Sequence, residues 1–394
     1  MYSENKHKML GLISFAIVII SGFFHIEFNG KIFLFDIFIP LAIIYIIYTK
    51  KNAEIDKNIL CLVLICIINQ IIQDSINATS INNFLKGTWK YMMIFPTLIF
   101  VYKFIYLIKI NKFDLNTLFI STFGIGIILV YILQPNIHAV DGDWWKFGIA
   151  LPITLFVIMF SIKINSYVII TSFLLLAICY INFHLGYRSL GFIVLIVTVY
   201  SLLVNTRVIC KLNRFAILLI ASIISIFLYF NLMHGLLSTK EKNKYETQVL
   251  MNNNYKTIEL YTAGKITNIF KNGRAEIFSS SQRIIDEMPW SIIKGKGTWA
   301  MENNELIKSH SHILGAFIEY GLIGAFLWIY ILLISLYYTY TLLQRYNKNE
   351  FIIITIFGLL SWDIIFSPFA GDHRFTTLIY FAFLKSNFKT GLVK

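Results

Sequence analysis

Residues Ser309–Leu333 read SHSHILGAFIEYGLIGAFLWIYILL. The stretch passes from a polar segment into an apolar run that is long enough to cross the hydrocarbon core of a bilayer. Glu319 is the one charged residue of this run. A carboxyl group inside a membrane must be paired or protonated, so Glu319 is a candidate functional residue. The stretch predicts a membrane helix whose N-terminal end, at His310, lies next to polar chain.

The rest of the chain has the same apolar character. Of its 394 residues, 57% are hydrophobic and 14% are charged, and the mean hydropathy is +0.69. Water could not solvate so much apolar side chain with so little charge, so we predict an all-α, polytopic membrane protein. Apolar runs of roughly 20 residues predict about twelve spans. They lie near residues 9–27, 32–49, 59–74, 88–108, 115–133, 147–162, 166–183, 189–205, 215–234, 312–336, 351–369 and 374–386.

Every second loop between these spans is basic, and both termini are basic, the C-terminal end through Lys385, Lys389 and Lys394. By the positive-inside rule both termini are cytoplasmic, and this topology accounts for the net charge of +13 without a nucleic-acid partner. We therefore divide the chain into a transmembrane bundle of about nine helices (1–235), a large outward loop (236–311) and about three further transmembrane helices (312–394). Amphipathic helices, for example Ala275–Glu287, are expected in the loop.

Three arginines are candidates for binding an anionic group. Arg188 opens a span on the outer side, where it either extends to lipid headgroups or binds phosphate. Arg274 follows the turn signal Asn272-Gly273 and either lies on a solvated helix face or binds an anion. Arg283 either joins it or faces the membrane surface. Arginine pairs phosphate oxygens through two parallel hydrogen bonds, so two of them can neutralise a diphosphate without a metal.

Two histidines and a last outward turn complete the candidates. Imidazole suits proton transfer near neutral pH, so His310 at the outer mouth of its span is a candidate base, although such a residue is often only an interfacial aromatic. His312 is turned about 200° away on a helix. The turn Gly371-Asp372-His373-Arg374 either is only a turn, with Asp372 and Arg374 paired, or binds substrate. The outward loops have no ligand spacing for a metal, and we expect no cofactor.

Several of these residues occur in an ordered set. Asn272-Gly273-Arg274, Met288-Pro289, Lys294-Gly295-Lys296-Gly297, and His310 followed by Glu319-Tyr320-Gly321-Leu322-Ile323-Gly324 stand in that order. The set resembles the C-terminal signature of the O-antigen ligase and O-antigen polymerase superfamily, and Gly186-Tyr187-Arg188-Ser189 is similar to the family's other arginine motif. Two departures are Ser311, where the family usually has Asn, and Tyr187, where Ser or Thr is more usual.

The resemblance implies a metal-independent glycosyltransferase at the periplasmic face of the bacterial inner membrane. Its donor and acceptor would be undecaprenyl diphosphate-linked oligosaccharides, and a chain-length regulator and a flippase would be its protein partners. Arg188 and Arg274 would hold the donor diphosphate, and His310 would orient or deprotonate the acceptor hydroxyl. Arg283, Glu319 and Arg374 would complete the substrate site.

Within the family, a polymerase joins repeat units, whereas a ligase transfers the glycan to the strongly anionic lipid A core. The outer loop has a mild charge balance, which favours the polymerase. A lipid-linked oligosaccharide flippase or other transporter is a further alternative, and it predicts charged residues at several positions within the spans. Asp36 and Asp363 are such residues, although most spans have none. A structural or sensory membrane protein is a third alternative, in which the motifs would be coincidence.

The alternating basic loops predict the side of each loop. An alkaline phosphatase fused near Asn253 should be active because that position is periplasmic, and one fused near Asn347 should be inactive because it is cytoplasmic. Phosphatase activity of cells carrying each fusion, at matched fusion level, measures this. The reverse pattern would exclude an outward-facing site.

Overall fold

The structure is a computed structural model. It describes residues 17, 20–21, 24–27, 31–40, 57–76, 80–110, 124–125, 128–129, 132–133, 150–163, 168–184, 188–205, 212–229, 293, 295, 297, 301–302, 305–306, 311–345, 350–367 and 371–392. The predicted amphipathic helix Ala275–Glu287 and most of the outward loop lie outside these residues.

The described part is mainly helical. Its helices are α1 (Lys57–Ile76), α2 (Ile81–Met92), α3 (Ile94–Ile110), α4 (Leu151–Lys163), α5 (Val168–His184), α6 (Arg188–Asn205), α7 (Arg214–Tyr229), α8 (His312–Arg345), α9 (Glu350–Phe366) and α10 (Gly371–Leu392). Among the described residues, α1 and α8 are long and apolar enough to cross a membrane. Large apolar side chains such as Ile68, Phe173 and Phe227 are more than half exposed, a distribution typical of lipid-facing helices.

Two short β-hairpins accompany the helices of this all-α fold. Strand β1 (His25–Glu27) pairs antiparallel with β2 (Lys31–Phe33), with Ile26 opposite Ile32. Strand β3 (Met301–Glu302) pairs with β4 (Glu305–Leu306) inside the outward loop. Both hairpins lie at predicted outer turns between helices, where strand pairing satisfies backbone groups that no helix reaches.

The predicted span 88–108 is two helices. Helix α2 begins at the N-cap Ser80, whose Oγ accepts a hydrogen bond from the Asn83 amide, and it ends at Met92. Pro96 explains that end, because it lacks an N–H for the Met92 carbonyl four residues earlier and its ring would clash with it. Part of the loop predicted before Lys86 is therefore the first half of α2.

Helix α10, whose span is the shortest predicted, is the central helix of the described structure. Between Phe375 and Lys385 all residues except the partly buried Thr376 are buried, in a helix that contacts α3, α8 and α9. Such a helix is apolar all round because it has no solvent-facing side. Lys385, which we assigned to a cytoplasmic tail, lies within α10 and is 7% exposed. Its Nζ is 4.7 Å from the centre of the Tyr102 ring, a cation–π contact.

Long-range polar contacts join chain segments whose loop charges predict that they lie on the same side of the membrane. Arg374 and Asp36 meet at 2.7 Å, and both belong to predicted outer ends. Tyr200 Oη donates to Glu350 Oε2 at 2.9 Å, and Arg214 Nε lies 3.8 Å from the same oxygen, at the predicted inner ends. The contacts therefore agree with antiparallel helices whose polar ends enclose an apolar middle.

Helix α8 is broken at Gly321. This residue has φ 66° and ψ −157°, which no helical residue adopts, and the positive φ is accessible at low cost only to glycine. The break lies nine residues after His312, about 14 Å along the helix. A Cβ added at Gly324 would lie 2.6 Å from the Ala316 carbonyl oxygen, although residues eight apart are about 12 Å apart along a straight helix. The two halves of α8 therefore overlap side by side.

The Gly-x-Gly motif of the outward loop packs directly onto this break. Gly295 and Gly297 both have positive φ, of 77° and 85°. A Cβ on Gly295 would overlap the carbonyl of Glu319, and one on Gly321 would overlap the carbonyl of Ile293 and lie 2.8 Å from the Gly295 nitrogen. The backbone of the loop thus touches the backbone of α8, and this close approach is possible because both segments have glycine at the contact.

The break leaves carbonyl groups of α8 without helical partners, and tertiary contacts satisfy two of them. The amide of Gly297 donates to the Glu319 carbonyl at 3.0 Å. Asn69 Nδ2 of α1 donates to the Tyr320 carbonyl at 3.1 Å. Irregular backbone at membrane depth is tolerated only where protein or a water-filled cavity supplies partners. Helix α1 and the Gly-x-Gly loop supply them here.

We expect Gly321→Ala to lower the stability of the protein by at least about 1–2 kcal/mol, because alanine is strained at positive φ and its Cβ would displace the loop at Gly295. Thermal unfolding of the purified protein in detergent measures the shift. Gly358→Ala is the matched control: its Cβ would approach only the Ile193 side chain, at 3.1 Å, so the change should stay within about 1 kcal/mol. Equal midpoints for the two variants would contradict the proposed role of the break.

Candidate functional site

An ion pair joins the short helix α2 to the first half of α8, at the end of the molecule that the loop charges predict to be the outer one and that is called the outer end below. Lys90 Nζ donates to both carboxylate oxygens of Glu319, at 3.2 and 3.1 Å. The side chains are 20% and 17% exposed, so the pair is accessible to solvent. Glu319 stands two residues before the break at Gly321, and its backbone carbonyl is the one that Gly297 binds. The carboxylate is therefore fixed to the same junction as the Gly-x-Gly loop.

A second ion pair lies deeper and is closed to solvent. Arg374 Nη2 donates to Asp36 Oδ1 at 2.7 Å, and their side chains are 3% and 8% exposed. The guanidinium carbon also lies 5.4 Å from the centre of the Phe35 ring, which stacks on Phe375 at 4.3 Å. A carboxylate and an aromatic ring thus face the positive charge of a buried guanidinium.

The backbone of Lys90 connects the two pairs. Arg374 Nη1 donates to the Lys90 carbonyl at 2.9 Å, while the Lys90 side chain binds Glu319. Four residues from four parts of the chain, Asp36, Lys90, Glu319 and Arg374, therefore form one network. Its buried half fixes the backbone from which the accessible half extends. We call this set the outer ionic network.

Polar side chains of α1 bind the two helices, α2 and α8, that carry the Lys90–Glu319 pair. Gln70, fully buried, donates to Asp74 Oδ2 and to Thr88 Oγ1, each at 3.2 Å. Cys66 Sγ donates to the Ile323 carbonyl at 3.8 Å, one turn from the Asn69 contact. Helix α1 thereby holds α2 on one side and the break of α8 on the other.

The start of α8 is tied to the end of α9. Ser311 Oγ caps α8 by accepting from the Leu314 amide, and it donates to the Ile364 carbonyl, both at 3.3 Å. His312 is fully buried, with Nδ1 2.9 Å from the Ser367 carbonyl and its ring against Trp328 at 4.8 Å. His312 thus packs against a neighbouring helix and contributes to the fold.

Asp363, the second acidic residue noted within a span, links α9 to α10. Its two carboxylate oxygens accept hydrogen bonds from Ser367 Oγ at 3.2 Å and from Thr376 Oγ1 at 3.1 Å. The carboxylate therefore lies next to the segment that binds His312. Hydroxyl donors hold it in place, in contrast to the guanidinium that binds Asp36.

The structure brings together two of the six predicted site residues, Glu319 and Arg374. Arg374 faces protein groups and not an open surface, so its contacts indicate a positioning role for a residue that we predicted to bind substrate. Arg374 pairs with Asp36, and the side chain of Asp372, the alternative local partner, lies outside the part of the chain that the structure describes. Arg274, Arg283 and His310 lie outside the described residues.

Arg188 is described by its backbone, as the first residue of α6. Helices α6 and α9 run antiparallel, because Tyr200 meets Glu350 near one end and a Cβ at Gly358 would meet Ile193 farther along. Continuing this register places the backbone of Arg188 near the level of Asp363. Arg188 thus belongs to the same end of the molecule as the start of α8.

Sequence reasoning missed Lys90 and did not assign Asp36 a role. The signal for Lys90 was present, since it lies within the predicted span 88–108, and an ionisable residue within a span is a functional candidate by default. Asp36 gave the same signal within span 32–49. The sequence did not reveal which residues they pair with, because these partners lie 229 and 338 residues away.

The outer ionic network has a group that can bind an anion and a group that can accept a proton. An accessible ammonium attracts phosphate oxygens, and the adjacent carboxylate can accept a proton from a hydroxyl group. Within the described residues, no group of three or more His, Cys, Asp and Glu side chains could hold a metal ion.

No family model, no curated protein and no solved structure matches this chain.

We expect Asp36→Asn to destabilise the protein by about 3–5 kcal/mol, because it removes the carboxylate charge that pairs with the buried Arg374 guanidinium. The unfolding midpoint and the amount of membrane-inserted protein measure the loss. Asp363→Asn is the matched control, since its carboxylate accepts from two hydroxyl groups; it should cost about 1 kcal/mol. If both variants unfold at the same temperature, the buried pair does not stabilise the outer end.

Proposed function

We propose that this protein is an O-antigen polymerase, a glycosyltransferase of the bacterial inner membrane. It joins undecaprenyl diphosphate-linked repeat units into polysaccharide at the periplasmic face. The observation that carries the proposal is the contact of the Gly-x-Gly motif with the break at Gly321. Two motifs that the sequence resemblance connects only by their order are in direct contact, and Glu319 is bound at their junction.

The arrangement of helix ends supports an outward-facing site. The loop-charge pattern assigns Asp36, Lys90, Glu319 and Arg374 to the outer halves of their segments, and they lie in one network. In the proposed protein about twelve spans carry this network at the periplasmic surface. A lipid-linked substrate would reach it from the bilayer, with its diphosphate at the level of the headgroups.

In the proposed reaction the hydroxyl group of an acceptor sugar attacks the anomeric carbon of the donor. The bond to the lipid diphosphate breaks, and the hydroxyl proton passes to a base, for which His310 is the proposed residue. Arg188 and Arg274 stabilise the leaving diphosphate through paired hydrogen bonds. The outer ionic network positions the start of α8 and supplies a further cation, Lys90. Because the diphosphate is already a good leaving group, positioning and charge stabilisation account for most of the catalysis.

The break in α8 also favours a second function, transport of the lipid-linked oligosaccharide. Discontinuous helices with free backbone groups form the substrate sites of many transporters. Here, however, the Gly-x-Gly loop and Asn69 occupy carbonyls at the break. A transporter of this kind would release these contacts during its cycle, whereas the glycosyltransferase keeps them.

Lipopolysaccharide from a deletion strain tests the proposal. We expect core carrying one repeat unit, because repeat units are made and transferred but not joined. A core without any O-antigen indicates a ligase, and accumulation of lipid-linked repeat units on the cytoplasmic side indicates a transporter. Wild-type polymer in the deletion strain would refute all three functions.

We expect His310→Ala, Arg188→Ala and Arg274→Ala each to abolish visible polymer in that strain, since a general base alone contributes about 10²–10⁴-fold. Polymer length on gels, normalised to inserted protein, measures the loss. Arg345→Ala, an exposed arginine at the other end of α8, is the control and should complement fully. Full polymer from the His310 variant would show that another residue takes the proton.

A further inference from the structure

Contacts other than the ion pair of Lys90 and Glu319 also hold α2 and α8 in place. Helix α1 binds both elements independently, through Gln70 to Thr88 and through Asn69 to the Tyr320 carbonyl. The backbones of the pair are held separately as well. Arg374 binds the Lys90 carbonyl, and Gly297 binds the Glu319 carbonyl. The two side chains can therefore separate while their backbones stay in place.

Helix α2 has an unusual charge for its location. It carries Lys86 and Lys90 and no acidic residue, although the loop pattern assigns it to the outer side, where the topological bias for lysine does not operate. Residues four apart lie on one face of a helix, so the two ammonium groups add to one positive surface. Both side chains are partly exposed. A need to bind a negative charge explains these lysines better than topology does.

The geometry points to Lys90 as a binding residue for one phosphate of a prenyl diphosphate, with Glu319 as the counter-ion that holds the site until the phosphate displaces it. The identity of this ligand rests on the proposed function. The ammonium of lysine binds phosphate as a point charge. A diphosphate brings more negative charge and more acceptor oxygens than one carboxylate, so it displaces Glu319 from Lys90. The carboxylate is then free to turn toward solvent.

This assignment predicts opposite effects for the two partners. Glu319→Gln removes the competing charge and leaves the ammonium available, so the protein should bind the diphosphate about fivefold more tightly, the equivalent of an exposed ion pair. Lys90→Gln removes the binding charge and should weaken binding about tenfold or more. A pair that is only structural would give a loss, or no effect, for both variants.

Calorimetric titration of the full-length protein in nanodiscs measures these affinities, with farnesyl diphosphate as the probe. The double variant Lys90→Gln/Glu319→Gln should bind like Lys90→Gln alone, because the carboxylate acts only through the lysine. Arg345→Gln, at the other end of α8, is the matched control and should bind like wild type. If Lys90→Gln fails to fold, Glu319→Gln decides the question by itself: tighter binding supports the assignment, and unchanged or weaker binding overturns it.

Titration with inorganic pyrophosphate separates the two sources of the ligand. Tighter binding of farnesyl diphosphate supports a lipid headgroup, whereas equal binding of both overturns the lipid assignment in favour of free diphosphate. The lipopolysaccharide profile of the deletion strain tests the proposed function separately from the Lys90 assignment. Loss of polymer on deletion with wild-type affinities in both variants overturns the Lys90 assignment alone. Normal polymer on deletion with opposite affinity changes overturns the proposed function and leaves a diphosphate site.

Discussion

The backbone conformation of Gly321 is the constraint on which the outer end of this protein depends. Breaking α8 there exposes carbonyl groups that a continuous helix would have used, and an apolar environment makes unpaired carbonyls costly. Donors must therefore come from elsewhere in the chain. Asn69 comes from α1 and Gly297 from the outward loop, so the break recruits the elements that surround it. The two halves of α8 could not overlap as they do if residue 324 carried a side chain.

The positions of the charged residues depend on that arrangement. Glu319 precedes the break, and its side chain forms an ion pair with Lys90 of α2. Lys90 is placed in turn by Arg374, whose own charge is balanced by Asp36. The buried pair has little solvent to screen it, so it fixes geometry, while the accessible pair is weak enough to exchange partners. A rigid inner half and an exchangeable outer half suit the proposed binding and release of an anionic lipid.

Hydropathy and local chemistry account for most of the helices. The described helices α1, α4, α5, α6, α7, α8, α9 and α10 follow predicted spans, and the sequence also contained the proline that divides the predicted span 88–108. The hairpin of His25–Glu27 with Lys31–Phe33 was not predicted, because strands of three residues are too short for a periodic pattern. The central position of α10 was not predicted either. An apolar run has the same composition whether lipid or protein surrounds it.

The sequence by itself determined which segments are apolar and which of the loops between them are basic. It also showed that Glu319, as a carboxyl group within a span, needed a partner. Only the tertiary structure decided that the partner is Lys90, that Arg374 binds Asp36, and that the Gly-x-Gly loop lies on Gly321. The physical reason is range. Helix formation and membrane partitioning depend on neighbours within a few turns, whereas an ion pair between residues hundreds of positions apart depends on how whole helices pack.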